Sequence, residues 1–144
     1  FANRARVTVA VKGARFWVWY TDSDDIYHDE HETPPTNAVK VHARTSVEID
    51  LEFRNTGRAA TTFSEATLKT RHPVLASREM KRRTNDSLLV SIDPLRIEPS
   101  DVSRVTIHSL LYEDIKEQTV PGKLELKFTN QWKRCGVTLE RQAR

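Results

Sequence analysis

Val39, Val41, Ala43, Val47, Ile49, Leu51 and Phe53 all stand at odd positions, and the even positions between and beside them, Lys40, His42, Arg44, Ser46, Glu48, Asp50, Glu52 and Arg54, are all polar. Alternation with period two requires extended chain with one buried face and one wet face. An antiparallel sheet offers that two-sidedness, whereas a parallel sheet covered by helices on both faces does not. Thr45 interrupts the apolar row and predicts a bend or bulge that lets one run serve as two strands. Asn55-Thr56-Gly57 closes the run as a turn.

The rest of the chain carries shorter signals of the same kind. Val7, Val9 and Val11 alternate, Lys12-Gly13 reads as a turn, and Phe16-Trp17-Val18-Trp19-Tyr20 follows with strand composition, which predicts a first hairpin. Further strands are expected over Thr61–Leu68, Ser87–Ile92, Ser103–Tyr112, Lys123–Thr129 and Gly136–Glu140, with a register slip near Ser109-Leu110-Leu111 and a turn at Pro121-Gly122. Asp93-Pro94 and Glu98-Pro99 bound a short extended piece with Leu95 and Ile97 facing one way. Eight or nine short strands without a convincing amphipathic helix predict a single all-β domain over 1–144, a sandwich or barrel.

A chain of 144 residues, 38% hydrophobic and 30% charged, buries one core without disulfide or metal staples. Cys135 is the one cysteine, so no internal disulfide forms and a thiolate-ligated zinc or iron–sulfur centre is excluded. Lys133 and Arg134 before it suit either an activated thiol or a small buried strand residue, and the latter is favoured. No apolar run is long enough to span a bilayer, so no membrane insertion by this chain is expected. A start at Phe1 points to a processed or excised chain with an upstream anchor or targeting part, and to an extracytoplasmic or membrane-tethered location.

Two stretches carry a family resemblance. Val47-Glu48-Ile49-Asp50-Leu51-Glu52-Phe53-Arg54-Asn55-Thr56-Gly57 resembles the strand and Asn-x-Gly turn of CARDB-like and related immunoglobulin-like sandwich modules. Ser91 to Ile107, with Ser100 where a glycine is usual, resembles the proline-bounded edge piece and core strand of those modules and of PapD-like domains, and Pro121 to Leu126 fits their later turn and strand. The resemblance implies an antiparallel immunoglobulin-like β-sandwich with a non-catalytic adhesive or scaffolding role, and it carries over no functional residues.

The charge of +3 is unevenly spread. From Thr21 to Val39 there are six acids, Asp22, Asp24, Asp25, Asp29, Glu30 and Glu32, and no Lys or Arg, so this stretch carries −6 and the remaining 23 bases and 14 acids carry +9. Residues 21–37 therefore read as an acidic loop, and three partners suit it or its surroundings. A metal such as calcium or zinc would use Asp22, Asp24, Asp25, His28 and His31, but an EF-hand needs Gly and Glu where Tyr27 and Thr33 stand, and the histidine spacing matches no zinc-protease order. Nucleic acid would use the basic connection at 69–86, with Arg78, Lys81, Arg82 and Arg83, and Trp132 beside Lys133 and Arg134 adds a stacking surface. A protein partner, or a second copy of the chain, would meet the acidic loop, with Trp17 and Trp19 on one strand face as core or as interface anchors. No GxSxG elbow, phosphate-binding glycine loop or Cys–His signature is present, so neither catalytic residues nor a cofactor are expected, and a structural or protein-binding module is the leading reading.

Overall fold

The computed structural model describes residues 4–30, 32, 42–72, 81–83, 89–91, 94–111 and 113–142, with the backbone alone at 42, 81–83 and 89–91. Among them are eleven strands: β1 (Val7–Thr21), β2 (Tyr27–Asp29), β3 (His42–Asn55), β4 (Thr61–Phe63), β5 (Glu65–Lys69), β6 (Lys81–Arg83), β7 (Leu89–Ser91), β8 (Leu95–Ile97), β9 (Val102–Leu111), β10 (Thr119–Phe128) and β11 (Gln131–Arg141). No helix among the described residues is long and apolar enough to cross a membrane. The expected all-β class is what the chain adopts.

The first hairpin is not. Lys12-Gly13 makes no turn; β1 runs on for 15 residues and pairs with β3 from Val7↔Asn55 to Thr21↔His42. A register shift between Val11 and Gly13 absorbs Lys12 as a bulge, and one extra residue reverses which positions face inward. Val7 packs in the core with Val9 and Val11 against it on the near side of the bulge, and Phe16 and Val18 do so on the far side. Trp17 and Trp19 consequently stand on the opposite face from Phe16 and Val18.

Strand β3 is likewise continuous through Thr45. The Thr45 side chain is fully buried because its hydroxyl donates to the Glu113 carbonyl at 2.7 Å, so the polar interruption needs no bend. Val39 and Val41 lie outside the described residues. Strand β9 pairs with β3 in unbroken register from Val102↔Arg54 to Leu111↔Thr45, and the expected slip is absent: Ser109 simply occupies an inward position between Ile107 and Leu111. Pro121 and Gly122, expected as a turn, lie inside β10 opposite Thr138 and Val137, beyond the stretch that β5 covers. There the missing proline N–H costs no ladder bond to β5. Within the basic connection, β6 pairs with β7 and β9; Arg78 lies outside the described residues.

The strands form one mixed sheet in the order β5-β10-β11-β1-β3-β9-β6-β7, with β2 on β1, and a two-stranded sheet of β4 and β8. One joint is parallel, between Arg15–Phe16 of β1 and Glu140–Arg141 of β11, so the arrangement is not purely antiparallel. The sheet curls. Phe53 of β3 and Phe128 of β10 are separated by two strands in the sheet order, yet their rings meet edge-on at 5.1 Å, and Phe63 of β4 touches both, an arrangement that aromatic quadrupoles favour. Around this trio, Ile49, Leu51, Leu68, Ile107, Leu124, Leu126 and Leu139 complete one core.

A polar knot closes one end of the core. Asn55 is fully buried, and every polar atom of its amide is used: Oδ1 accepts from the Arg6 and Gly57 N–H groups at 3.2 and 3.0 Å, while Nδ2 donates to the Ala59 and Ile97 carbonyls at 2.9 and 3.2 Å. Gly57 is required beside it, since a Cβ there would lie 2.1 Å from the Arg4 carbonyl oxygen. The Asn55 carbonyl accepts from the Ser100 N–H at 2.8 Å. In that turn Ser100 holds φ 71°, in the left-handed region that favours glycine.

Candidate functional site

At the other end of β1, Asp22 to Ile26 connect β1 to β2, and Thr21 pairs with Tyr27 to close the hairpin. The loop shape follows from one side chain. Asp22 Oδ1 accepts from the Asp24 and Ile26 N–H groups at 2.8 and 3.0 Å, an Asx turn that sets the chain's direction. Asp25 adopts φ 61°, a conformation that Asp tolerates well. The Asp22 N–H donates to the Ile26 carbonyl at 3.0 Å and the Asp25 N–H to the Asp22 carbonyl at 3.1 Å.

The other Asp22 oxygen turns inward. Oδ2 lies 2.7 Å from His28 Nε2, and His28 Nδ1 lies 3.1 Å from Glu32 Oε2, so the ring has a carboxylate on each nitrogen. Tyr20 stacks on the imidazole with centroids 5.1 Å apart and donates its hydroxyl to the Glu32 carbonyl at 2.7 Å. Asp22 is only 2% and His28 only 6% exposed. The hydrogen bond that His28 donates to Asp22 raises the His28 pKa, outweighing the opposite effect of burial, with Glu32 adding to it. The bond to His28 in turn holds the Asp22 carboxyl below its ordinary range, helped by the two loop N–H groups. With a carboxylate against each ring nitrogen, the protonated imidazole would donate to both Asp22 and Glu32. Glu30 ties the same hairpin to β11 through the Arg141 guanidinium, which lies 5.2 Å from the Phe16 ring centre and also donates to the Glu117 carbonyl.

The six acids read together in the sequence therefore separate into two sets. Asp22 and Glu30 are largely buried partners of His28 and Arg141, Glu32 reaches His28 from the exposed side, and Asp29 accepts from the Tyr27 hydroxyl at 2.8 Å. Asp24 and Asp25 face solvent beside Ile26 and Tyr27, which are 53% and 49% exposed. Trp19 stands behind them, its ring centre 5.4 Å from that of Tyr27 and its indole N–H donating to Ser46 Oγ at 2.8 Å. Trp17 is buried on the same face of β1 rather than offered to a partner. Among the described residues no group of three or more His, Cys, Asp or Glu is arranged to hold a metal, and both His28 nitrogens are already engaged; His31 lies outside those residues.

Other sequence candidates are dispersed. Lys81, Arg82 and Arg83 form β6, whereas Trp132 is 50% exposed on β11 with the Lys127 ammonium 5.8 Å from its ring centre. Cys135 packs against the core, and burial pushes its thiol pKa up, which removes the activated-thiol reading. Tyr20 and Arg141 are structural partners that the sequence does not single out. Tyr20 sits in an aromatic run that reads as core, and Arg141 lies 111 residues from Glu30, beyond any local signal.

No protein-family model and no curated relative matches the sequence. Among solved structures, the chain is similar to a FixG-related protein from Vibrio parahaemolyticus, with 8% identity over 96% of this chain and 97% of that chain and a TM-score of 0.47.

Proposed function

We propose that this chain is an immunoglobulin-like β-sandwich module that binds a protein partner through the tip of its β1–β2 loop and catalyses no reaction. The sandwich reading is supported by the sheet curling through β1, which sets β5-β10-β11 against β3-β9 across one core. The Asn55-Gly57 knot and the left-handed Ser100 turn support the CARDB-like or PapD-like likeness, since each supplies a physical reason for the residue type that the likeness expects there.

One observation carries the binding role: the buried Asp22–His28 pair bonds the loop to itself while two large apolar side chains stay exposed at its tip. Order that is built from buried groups costs nothing further when a partner docks, and an exposed Ile26–Tyr27 pair flanked by Asp24 and Asp25 has the make-up of an apolar anchor with a charged rim. The partner it suits presents an apolar pocket bordered by Lys or Arg. Panning a random peptide library against the chain tests this reading. Recovered peptides should combine basic and apolar residues and lose binding to Ile26→Ser/Tyr27→Ser; peptides that bind this variant equally well would remove the loop from the function.

A further inference from the structure

The second pole of β1 holds a site of opposite character. β1 and β11 pair in parallel where Arg15 and Phe16 meet Glu140 and Arg141, and toward Val7 and Gln131 the two strands form no further pairs and line a gap. Between them opens a cleft of about 570 Å³, within the range that accepts several side chains. Arg4, Arg6 and Lys133 line it together with Thr8, Thr56, Thr61 and Thr129, and no Asp or Glu does. Arg4, Arg6 and Lys133 have no carboxylate partner among the described residues. Val7 and Ala59 supply an apolar part of the wall.

The acidic tip and this basic cleft lie at opposite ends of one 15-residue strand, roughly 45 Å apart at a rise of about 3.3 Å per residue. One chain cannot bring them together; two chains can. We infer that the cleft receives the loop tip of a second copy, Asp24 and Asp25 meeting Arg4, Arg6 and Lys133 while Ile26 and Tyr27 enter between the two strands. The inference rests on the reading of the tip as a recognition element and names its partner. The contact is heterologous, so successive copies extend a chain or close a ring rather than stop at a two-fold dimer.

Sedimentation equilibrium of the whole chain tests it. At low salt the weight-average mass should rise with concentration above the monomer's 16.6 kDa and return to it at high salt, since the contact is ionic. Two variants isolate the poles: Arg4→Glu/Lys133→Glu disables the cleft, and Asp24→Lys/Asp25→Lys disables the tip. Each should be monomeric alone. Mixed in equal amounts, they retain one working tip and one working cleft and should form a complex of twice the monomer mass that grows no further. Arg4→Gln/Lys133→Gln, which keeps neutral side chains of similar length, should show the cleft defect should charge reversal impair folding. A monomeric wild type at low salt, association surviving in either variant alone, or a mixture that stays monomeric would overturn the inference. Basic peptides that still bind the Ile26–Tyr27 tip of a monomeric wild type would leave the loop reading standing without it.

Discussion

Two buried polar knots sit at the two ends of β1 and β3, and they are built differently. Asn55 is neutral, its four hydrogen bonds all run to backbone groups, and it fastens the start of β1, the Gly57 turn and β8 together. The Asp22–His28–Glu32 group is built from titratable side chains, its hydrogen bonds are divided between those side chains and two backbone N–H groups of the loop, and it fastens one hairpin loop. A knot tied to backbone from several strands belongs to the fold as a whole; a knot of charges within one hairpin governs that hairpin and answers to pH.

The sharpest break of the first knot is Gly57→Ala, because the new methyl would be forced against the Arg4 carbonyl and the Arg6 nitrogen, both backbone. A loss on the order of 3 kcal/mol or more is expected by chemical denaturation, and a loss below about 1 kcal/mol would mean that the turn relaxes freely. Asn55→Ala should cost about 2–4 kcal/mol, since it strands buried donors and acceptors. Asn55→Asp sharpens the contrast with the ionic knot, because the second oxygen replaces a donor facing the Ala59 and Ile97 carbonyls. That variant should be least stable above the carboxylate range, where the wild-type knot is indifferent to pH.

The second knot should break locally. Asp22→Ala removes both the loop's turn acceptor and the His28 partner, so amide exchange at Asp24 and Ile26 should quicken markedly while β10 and β11 amides keep their protection. Its pH window follows from the two shifts. His28 binds its proton more tightly folded than unfolded, so its contribution is complete below its ordinary value of 6.5 and fades as pH rises through the raised folded value. Asp22 is shifted the other way, contributing fully above its ordinary 3.8 and losing that contribution as pH falls through the lowered folded value. Loop protection should therefore be greatest between these limits. The smallest effect expected is a gain: Ser100→Gly should stabilise by about 1 kcal/mol or less, as relief of the left-handed backbone outweighs glycine's greater unfolded freedom.

The same contrast explains what can be read from the sequence. The inward rows of β3, β10 and β11 are legible because burial on one face writes a period of two. The Asn55-Thr56-Gly57 turn is legible as a turn but not as a hub, since Ala59 and Ile97 reach it only through the fold. The bulge at Lys12 is concealed because a Lys-Gly pair inside one strand has the composition of a turn, and the continuity of β3 because the buried Thr45 hydroxyl finds a partner 68 residues away. The acidic stretch has the make-up of solvated chain. Counting carboxylates cannot reveal that three of them face a histidine and an arginine and a fourth, Asp29, accepts from Tyr27, which leaves Asp24 and Asp25 as the charged tip.

Everything proposed for the acidic stretch depends on its being an ordered hairpin tip clamped by a protonated His28. Nitrogen-detected NMR titration of the imidazoles, with the His28 signals assigned through His28→Gln, measures it directly. Both ring nitrogens should be protonated near neutral pH, the His28 pKa should lie above that of the same residue in a denatured chain, and exchange of the Asp24 and Ile26 amides should be slow until His28 loses its proton. A His28 that titrates at or below the ordinary histidine value, with Asp24 and Ile26 amides exchanging as in unfolded chain, would contradict it.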